Sequence, residues 1–178
     1  MTNEELLAKW AWRINRDIFT WTEDLTLCWL AEHCRGAALM VESGTYMGAS
    51  AAMMLEANHT GHLWCVDKFM VAGTQKVTEF FLAPYIAANQ CELIVGDSTK
   101  AAEMLQHLKG RIDFVWVDDG HAEEDLVRDI TSFLPLMRPG GILCGHDWEG
   151  DNDVSRGVKR TGIEVTIPLP RLWCHIKI

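Results

Sequence analysis

The turn between the first predicted strand and the helix after it has the sequence VESGTYMGAS, which runs from Val41 to Ser50. Gly44 permits a tight turn, and Gly48 allows the helix to pack close to the strand. Backbone amides exposed at the start of such a helix can hold an anion, for example a carboxylate. Two glycines at this spacing also occur in turns that bind nothing, so the function of the turn depends on the pattern around it.

Short apolar runs alternate with helical segments along most of the chain. Each run is apolar at successive positions, which is typical of strands covered by helices on both faces. The predicted strands are 38–42, 63–67, 92–95, 113–118 and 141–144, and the predicted helices lie near 48–58, 75–89, 99–109 and 122–137. This alternation predicts a doubly wound parallel sheet, because parallel neighbours need crossover connections. Two last strands, 164–168 and 172–178, have too short a link for a crossover helix and must pair antiparallel.

The first 34 residues have a different pattern and are predicted to form two helices, 3–18 and 22–34. Thr22 is a predicted N-cap of the second helix, and Gly36 ends it. Four tryptophans of this region are expected to pack rather than to form an acceptor-binding face: Trp10, Trp12, Trp21 and Trp29. We predict one domain over residues 1–178, with N-terminal helices over 1–34 and a Rossmann-like core over 36–178.

Composition and charge restrict the possible partners. The chain has 178 residues and a formal net charge of −9, which argues against a nucleic acid or an anionic membrane surface as partner. No apolar run approaches the roughly 18 residues of a membrane span. The six cysteines show no CxxC spacing, so we expect buried free thiols, as in a reducing compartment. These features predict a cytoplasmic protein that binds neither nucleic acid nor membrane.

Polar side chains follow the second and third predicted strands. Asp67 ends the second strand, 25 residues after Glu42, and an acid at that place can grip a ribose diol. The third strand is followed by Asp97 and Ser98, which can hydrogen-bond an adenine edge. Either residue can also cap the next helix, and the two roles are compatible.

The fourth and fifth strands also end in ionisable residues. Asp118 and His121 follow a fully apolar strand, and His146 and Asp147 follow the next one. Because neighbouring strands lie about 5 Å apart, Asp118, His146 and Asp147 can converge on one point. Two carboxylates and an imidazole suit a divalent cation such as Mg²⁺, Mn²⁺ or Fe²⁺. The alternative is a hydrogen-bonded polar cluster without a metal.

The sequence resembles the class I S-adenosylmethionine-dependent O-methyltransferases over residues 36–178. It is nearest to the catechol O-methyltransferase-like group and to the macrocin O-methyltransferase and cephalosporin hydroxylase relatives. The resemblance depends on an E-x-G-x-Y-x-G-x-S pattern formed by Glu42, Gly44, Tyr46, Gly48 and Ser50. It implies a Rossmann-like α/β sheet in the order 3-2-1-4-5-7-6, mostly parallel with a C-terminal antiparallel strand.

The same resemblance implies roles for the residues at the strand ends. S-adenosylmethionine would be held by the pattern residues Glu42, Gly44, Tyr46, Gly48 and Ser50 and by Asp67, Asp97, Ser98 and Asp118. Asp67 would hold the ribose and Ser98 the adenine. Asp118, His146 and Asp147 fall where the family places its metal ligands, although His146 replaces a carboxylate and so favours a softer ion or none.

The predicted reaction is methyl transfer to a hydroxyl of a small molecule such as a sugar, a phenol or a natural-product intermediate. His121 stands where catechol methyltransferases keep a catalytic lysine, so we predict His121 and Asp118 as catalytic residues. The alternatives are a hydroxylase-like metal enzyme and a non-catalytic S-adenosylmethionine-binding module on the same fold. A nicotinamide dehydrogenase is disfavoured because the turn lacks the G-x-G-x-x-G form. The N-terminal helices could form the contact of a homodimer.

Overall fold

A computed structural model describes residues 2–10 and 18–178 as an α/β structure. The helices are α1 (Asn3–Trp10), α2 (Asp24–His33), α3 (Ala49–Ala57), α4 (Thr74–Ala87), α5 (Ser98–Met104), α6 (Glu123–Phe133) and α7 (Asp153–Arg160). The strands are β1 (Leu39–Ser43), β2 (His62–Asp67), β3 (Cys91–Val95), β4 (Ile112–Val117), β5 (Met137–Trp148), β6 (Thr166–Leu169) and β7 (Arg171–Ile176). Short 3₁₀ turns follow α5 and α6.

The strands form one seven-stranded sheet in the order β3-β2-β1-β4-β5-β7-β6. Pairing is parallel from β3 to β5, and β7 pairs antiparallel with both β5 and β6. The predicted fold class and strand order are therefore confirmed. The carboxyl ends of β1, β2, β4 and β5 lie together at one edge of this sheet, which is where open α/β sheets bind their ligands.

Both faces of the sheet are covered by helices, so successive strand residues belong to different cores. Met40 and Phe114 pack with α2, α3 and α4, whereas Val41 and Val115 pack with α5, α6 and α7. This follows from the two-residue period of a strand, which sends neighbouring side chains to opposite faces. Each large side chain that is fully buried in this way contributes about 1.5–3 kcal/mol to folding, and this double-sided packing fixes the strand ends.

The N-terminal region differs from its prediction. Of the helix predicted over 3–18, the structure describes α1 over Asn3–Trp10, and residues 11–17, which include Trp12, lie outside the described part of the chain. The N-cap of α2 is Glu23 rather than the predicted Thr22. The Thr22 hydroxyl instead points to the end of β4, where Oγ1 donates to a carboxylate oxygen of Asp118 at 3.5 Å.

Two elements in the C-terminal part of the chain, β5 and α7, differ from the prediction. Strand β5 has 12 residues rather than four, because Gly140 and Gly141 pair through their backbones with Lys177 beyond β7. Helix α7 was not predicted at all, since it buries only two apolar side chains, Val154 and Val158. The side chain of Asn152 caps this helix by accepting from the Ser155 amide at 2.9 Å.

The cysteines agree with the prediction of buried free thiols. All six are unpaired, and five are buried, with Cys28 half-buried. Across residues 2–10 and 18–178, every helix is too short or too polar to cross a membrane.

Candidate functional site

A cavity of about 990 Å³ lies at the carboxyl ends of β1, β2, β4 and β5. Its inner wall includes predicted site residues from each of these strand ends: Gly44, Tyr46, Ser50, Asp67, Asp118, His121, His146 and Asp147. The structure therefore brings most of the predicted site residues together at one cavity. Glu42, Gly48, Asp97 and Ser98 do not line it.

The turn after β1 passes against the end of β4 with no room for a side chain. Gly44 has φ +94°, and a Cβ placed there would lie 2.1 Å from the backbone oxygen of Asp118. The turn is further held by the Gly44 amide, which donates to the Val66 carbonyl at 2.9 Å, and by the Asp118 amide, which donates to the Ser43 carbonyl at 2.7 Å. Only glycine fits this position, because it combines left-handed φ with close backbone approach.

Asp67 joins the ends of β1 and β2. One carboxylate oxygen accepts from the Tyr46 amide at 2.7 Å, and the other accepts from the Phe69 amide at 2.6 Å. Tyr46 and Phe69 both have positive φ, at 51° and 49°, a conformation that non-glycine residues rarely adopt. The carboxylate therefore holds two strained loops in place at the cavity wall, and each oxygen keeps a second lone pair for a ligand.

Glu42 lies behind the turn and is fully buried. Ser50 Oγ donates to its Oε1 at 2.5 Å, while Oε2 has no hydrogen-bond partner in the described part of the chain. Burial raises the pKa of this carboxyl to about 7, and the nearby Asp118 and Asp67 charges add to the effect. Glu42 thus supports the glycine turn from the protein side of the wall.

The two residues predicted beside an adenine are engaged with the protein. Asp97 caps α5 by accepting from the Lys100 amide at 3.0 Å, and this bond lowers its pKa. Ser98 is fully buried and donates to Asp129 at 2.6 Å. The capping role is therefore present for Asp97, and contact of either residue with an adenine stays a prediction.

Asp118, His121 and Asp147 come together at one end of the cavity, where β4 and β5 end. One ligand atom from each lies within 4.8 Å of the others, and His121 Nε2 is 2.7 Å from Asp147 Oδ2. Burial raises the pKa of Asp118 to about 7 against the pull of His146. The pKa of His121 is raised, mainly by its hydrogen bond to Asp147.

His146 is buried one residue before Asp147 and has carboxylates on both sides of its ring. Its Nε2 is 2.7 Å from Glu23 Oε2, and its Nδ1 is 3.3 Å from Asp147 Oδ1. Burial lowers its pKa, but the hydrogen bond to Asp147, the Asp118 charge and Glu23 outweigh burial and raise the pKa to about 8. His146 therefore faces Glu23 and Asp147 rather than joining the Asp118 group predicted to hold a metal.

Three side chains near this end of the cavity were not predicted as site residues: Trp21, Glu23 and Arg171. Arg171 bonds both Asp147 and Glu23, and Trp21 is 78% exposed on the cavity rim. The expectation that Trp21 packs in the N-terminal region is wrong, because it precedes α2 and points outward. Nothing local in the sequence marks Glu23 or Arg171, since each reaches the site only through the folded arrangement of distant segments.

Comparisons with known proteins agree with this geometry. The profile of a family described as Methyltransferase domain matches residues 41–148, more than half of the chain. No curated protein matches the sequence.

Several solved structures share the fold. A candidate caffeoyl-CoA O-methyltransferase from Staphylococcus aureus is 15% identical, with 99% of each chain covered and a TM-score of 0.70. A methyltransferase from Podospora anserina, bound to S-adenosylhomocysteine, is 16% identical over 97% of this chain and 88% of its own, with a TM-score of 0.71. A SAM-dependent O-methyltransferase from Thermotoga maritima is 14% identical over 97% and 71%, with a TM-score of 0.70.

At these identities the structural likeness establishes the fold, and the family match establishes the class of protein. The resemblance predicted from the turn and the strand ends is confirmed. The chain belongs to the methyltransferase-domain family and has the fold of the S-adenosylmethionine-dependent O-methyltransferases.

Proposed function

We propose that this protein transfers a methyl group from S-adenosylmethionine to a hydroxyl of a small, neutral molecule. The observation that carries the proposal is the division of one cavity into two ends. The glycine turn and Asp67 form one end, and the His121–Asp147 pair forms the other. A donor and an acceptor can therefore be held side by side in one cavity.

The cofactor would lie along the turn after β1. The amides that follow Gly44 would face its carboxylate, and the free lone pairs of Asp67 would accept from the ribose hydroxyls. Ser50 and Tyr46 would complete this wall, with Glu42 and Gly48 supporting them from behind. The adenine would extend toward the loop of Asp97 and Ser98.

Methyl transfer is an in-line displacement, in which a C–O bond forms as the C–S bond breaks and its electron pair returns to sulfur. Catalysis therefore depends mainly on alignment of acceptor and methyl group. The acceptor hydroxyl also has to lose its proton, and His121 would take it at Nδ1, because its Nε2 contacts Asp147, which orients the ring. Buried Asp118 lies beside this pair and shapes the same end of the cavity.

A divalent cation, when bound in such a site, would polarise the acceptor oxygen. The predicted ligands do not fit this role as they are arranged. Both ring nitrogens of His146 face carboxylates, and Asp147 is already bonded by Arg171 and His121. A cation among Asp118, His121 and Asp147 would have to replace the His121–Asp147 contact. We therefore assign no step to a metal.

The lining indicates an acceptor without negative charge. Apolar side chains are exposed at the rim: Phe19, Trp21, Met70 and Val71. The three lysine and arginine side chains among the described lining residues each pair with a carboxylate, Lys68 with Asp119, Arg156 with Asp153, and Arg171 with Asp147. A phosphate or carboxylate on the acceptor would meet only cations whose charge is already balanced among the described residues, whereas a neutral phenol or sugar with an apolar face fits.

The test is formation of S-adenosylhomocysteine and methylated product, followed by mass spectrometry, with a panel of neutral phenols and sugars. His121→Gln should lower kcat by about 10²–10⁴-fold, the usual contribution of a general base. His107→Gln is the matched control, because His107 is exposed on the turn after α5 and its hydrogen bond is to the Met104 carbonyl, outside the cavity. Cofactor binding without turnover of any acceptor would instead favour a non-catalytic module, and unchanged activity in His121→Gln would contradict the assigned base.

A further inference from the structure

Arg171 is the first residue of β7 and extends into the acceptor end of the cavity. Its Nη2 donates to Asp147 Oδ1, and its Nη1 donates to Glu23 Oε1 at 3.0 Å. Its Nε lies 2.8 Å from a carboxylate oxygen of Glu149. The guanidinium is thus held by three carboxylates from two segments, Glu23 and the segment 147–149, while the side chain lines the cavity and stays 40% exposed.

The backbone conformation at the end of β5 and at the start of β7 fixes the position of the Arg171 guanidinium. Asp147 and Arg171 both have positive φ, at 60° and 65°. The ladder between β5 and β7 shifts register after Gly145, so that Trp148 pairs with Arg171. Left-handed φ at two non-glycine residues that bond each other is unusual, and it directs both side chains to the same point of the cavity.

The four charged groups form a closed ring. Glu23 contacts His146, His146 contacts Asp147, Asp147 accepts from Arg171, and Arg171 donates back to Glu23. The ring joins the start of α2, the end of β5 and the start of β7. Arg171 therefore lies beside the carboxylate and imidazole that were predicted to hold a cation, and it brings a positive charge that does not titrate near neutral pH.

We propose that the Arg171 guanidinium is the built-in cation of this site and that methyl transfer here does not depend on a metal. The inference rests on the proposed O-methyl transfer. A guanidinium has five N–H donors, and three of the Arg171 nitrogens already face carboxylates, which leaves N–H groups of the two Nη atoms for the acceptor oxygen. As His121 takes the proton and the methyl carbon moves from sulfur to oxygen, Arg171 donates hydrogen bonds to that oxygen and transfers no proton itself.

The first test measures metal binding directly on the full chain. Mn²⁺ is titrated into the purified protein and followed by electron paramagnetic resonance, with and without S-adenosylmethionine. We expect no stoichiometric binding at micromolar Mn²⁺ and no change in turnover with EDTA. A single tight Mn²⁺ site, or loss of turnover with EDTA, would overturn the inference.

The second test addresses Arg171 itself. Arg171→Ala should lower kcat at least 10-fold, leave the Kd for S-adenosylmethionine within about twofold, and regain part of its activity with added ethylguanidinium. Arg171→Lys should keep more activity than the alanine variant. Arg160→Gln is the control, because Arg160 also pairs with two carboxylates, Glu123 and Glu124, but lies outside the cavity.

The outcomes separate the two proposals. Unchanged kcat in Arg171→Ala would overturn the role of Arg171 while the proposed function stands. Failure of the folded wild-type protein to bind S-adenosylmethionine would overturn the proposed function itself. If Arg171→Ala does not fold, the lysine variant and the Mn²⁺ titration of the wild-type protein still decide the question.

Discussion

The two ends of the cavity are built by different means. At the ends of β1 and β2, backbone groups make most of the structure: Gly44 fits against β4, and Asp67 accepts from two backbone amides. At the ends of β4 and β5, side chains from distant segments make it. Glu23 reaches His146 across 123 positions of the chain, and Arg171 reaches Asp147 across 24.

This difference has consequences for how each end responds to substitution. The two ends also balance charge differently. Among the described residues no cation pairs with buried Glu42, whereas Asp147 is bonded by Arg171 and two histidines. Changes at the cofactor end should act on folding and cofactor affinity. Changes at the acceptor end should act on kcat.

The largest effect is expected from Gly44→Ala. The new Cβ would collide with the backbone of Asp118 and Asp119, at 2.1 to 2.5 Å, in a left-handed conformation. Overpacking and backbone strain together should lower the free energy of unfolding by about 3 kcal/mol or more. Denaturant unfolding followed by circular dichroism measures this change.

Gly36→Ala is the matched control for that substitution. Gly36 has a similar φ of +79°, but a Cβ there meets nothing within 4 Å. The control substitution should lower the free energy of unfolding only by the strain of alanine in a left-handed conformation, about 1–2 kcal/mol. Equal destabilisation by the two variants would show that the close approach to β4 is not what fixes this turn.

A second effect is expected from Glu42→Gln and depends on pH. The folded-state pKa of Glu42 is raised from 4.5 to about 7, so its favourable contribution is full below pH 4.5 and is lost as pH rises through 7. Relative to Glu42→Gln, the wild-type protein should therefore lose up to about 3 kcal/mol of stability between these pH values. Thermal and urea unfolding at several pH values measure the difference.

Glu103→Gln provides the comparison for Glu42, because Glu103 is exposed on α5. Its difference from wild type should stay nearly constant over the same pH range. A flat difference for Glu42→Gln as well would mean that Glu42 is ionised in the folded protein without cost, contrary to its burial.

At the acceptor end, Asp147→Asn should lower kcat by roughly 10²-fold. A carboxylate that orients a catalytic imidazole and balances its charge can contribute this much or more. The Kd for S-adenosylmethionine should change little, since Asp147 does not contact the glycine turn. Asp151→Asn is the control, because Asp151 is an exposed acid four residues further along, outside the cavity. If Asp147→Asn instead weakened the binding of S-adenosylmethionine and left kcat unchanged, the assignment of the two ends would be reversed.

The smallest effect is expected from Glu23→Gln. Glu23 is 46% exposed, and half-exposed ion pairs contribute only about 1 kcal/mol or less. We expect a three- to tenfold loss of kcat, through looser placement of His146 and Arg171, and no loss of cofactor affinity. Steady-state kinetics of Glu23→Gln are compared with those of Glu32→Gln, because Glu32 is an exposed acid on α2. An effect as large as that of Asp147→Asn would mean that Glu23 contacts the acceptor.

The sequence was most informative where local residues determine the structure. Gly44 and Asp67 could be interpreted from the chain because a glycine in a strand-to-helix turn and an acid at a strand end are local patterns, although their contacts reach Asp118 and Tyr46. The apolar runs predicted the parallel strands. Ser98 shows the limit of this approach, because its hydroxyl bonds Asp129 from another helix. Asp97 could be placed as a cap because its partner is only three residues away.

The remaining differences come from long-range contacts. Strand β5 is longer than predicted because its first residues pair near the C-terminus, at Lys177. Glu23 and Arg171 were missed because a helix N-terminus and a strand start carry charged residues in most proteins. Only the fold shows that both meet at His146 and Asp147.

We expect the glycine turn and Asp67 to bind S-adenosylmethionine independently of the acceptor end of the cavity. Calorimetric titration of the full chain with S-adenosylmethionine tests it most directly, using wild type, Asp67→Ala and His121→Gln. We predict micromolar binding for wild type and His121→Gln, and affinity at least 10-fold weaker for folded Asp67→Ala. Equal affinity in Asp67→Ala would contradict the role of Asp67, and no binding by the folded wild-type protein would contradict the cofactor site itself.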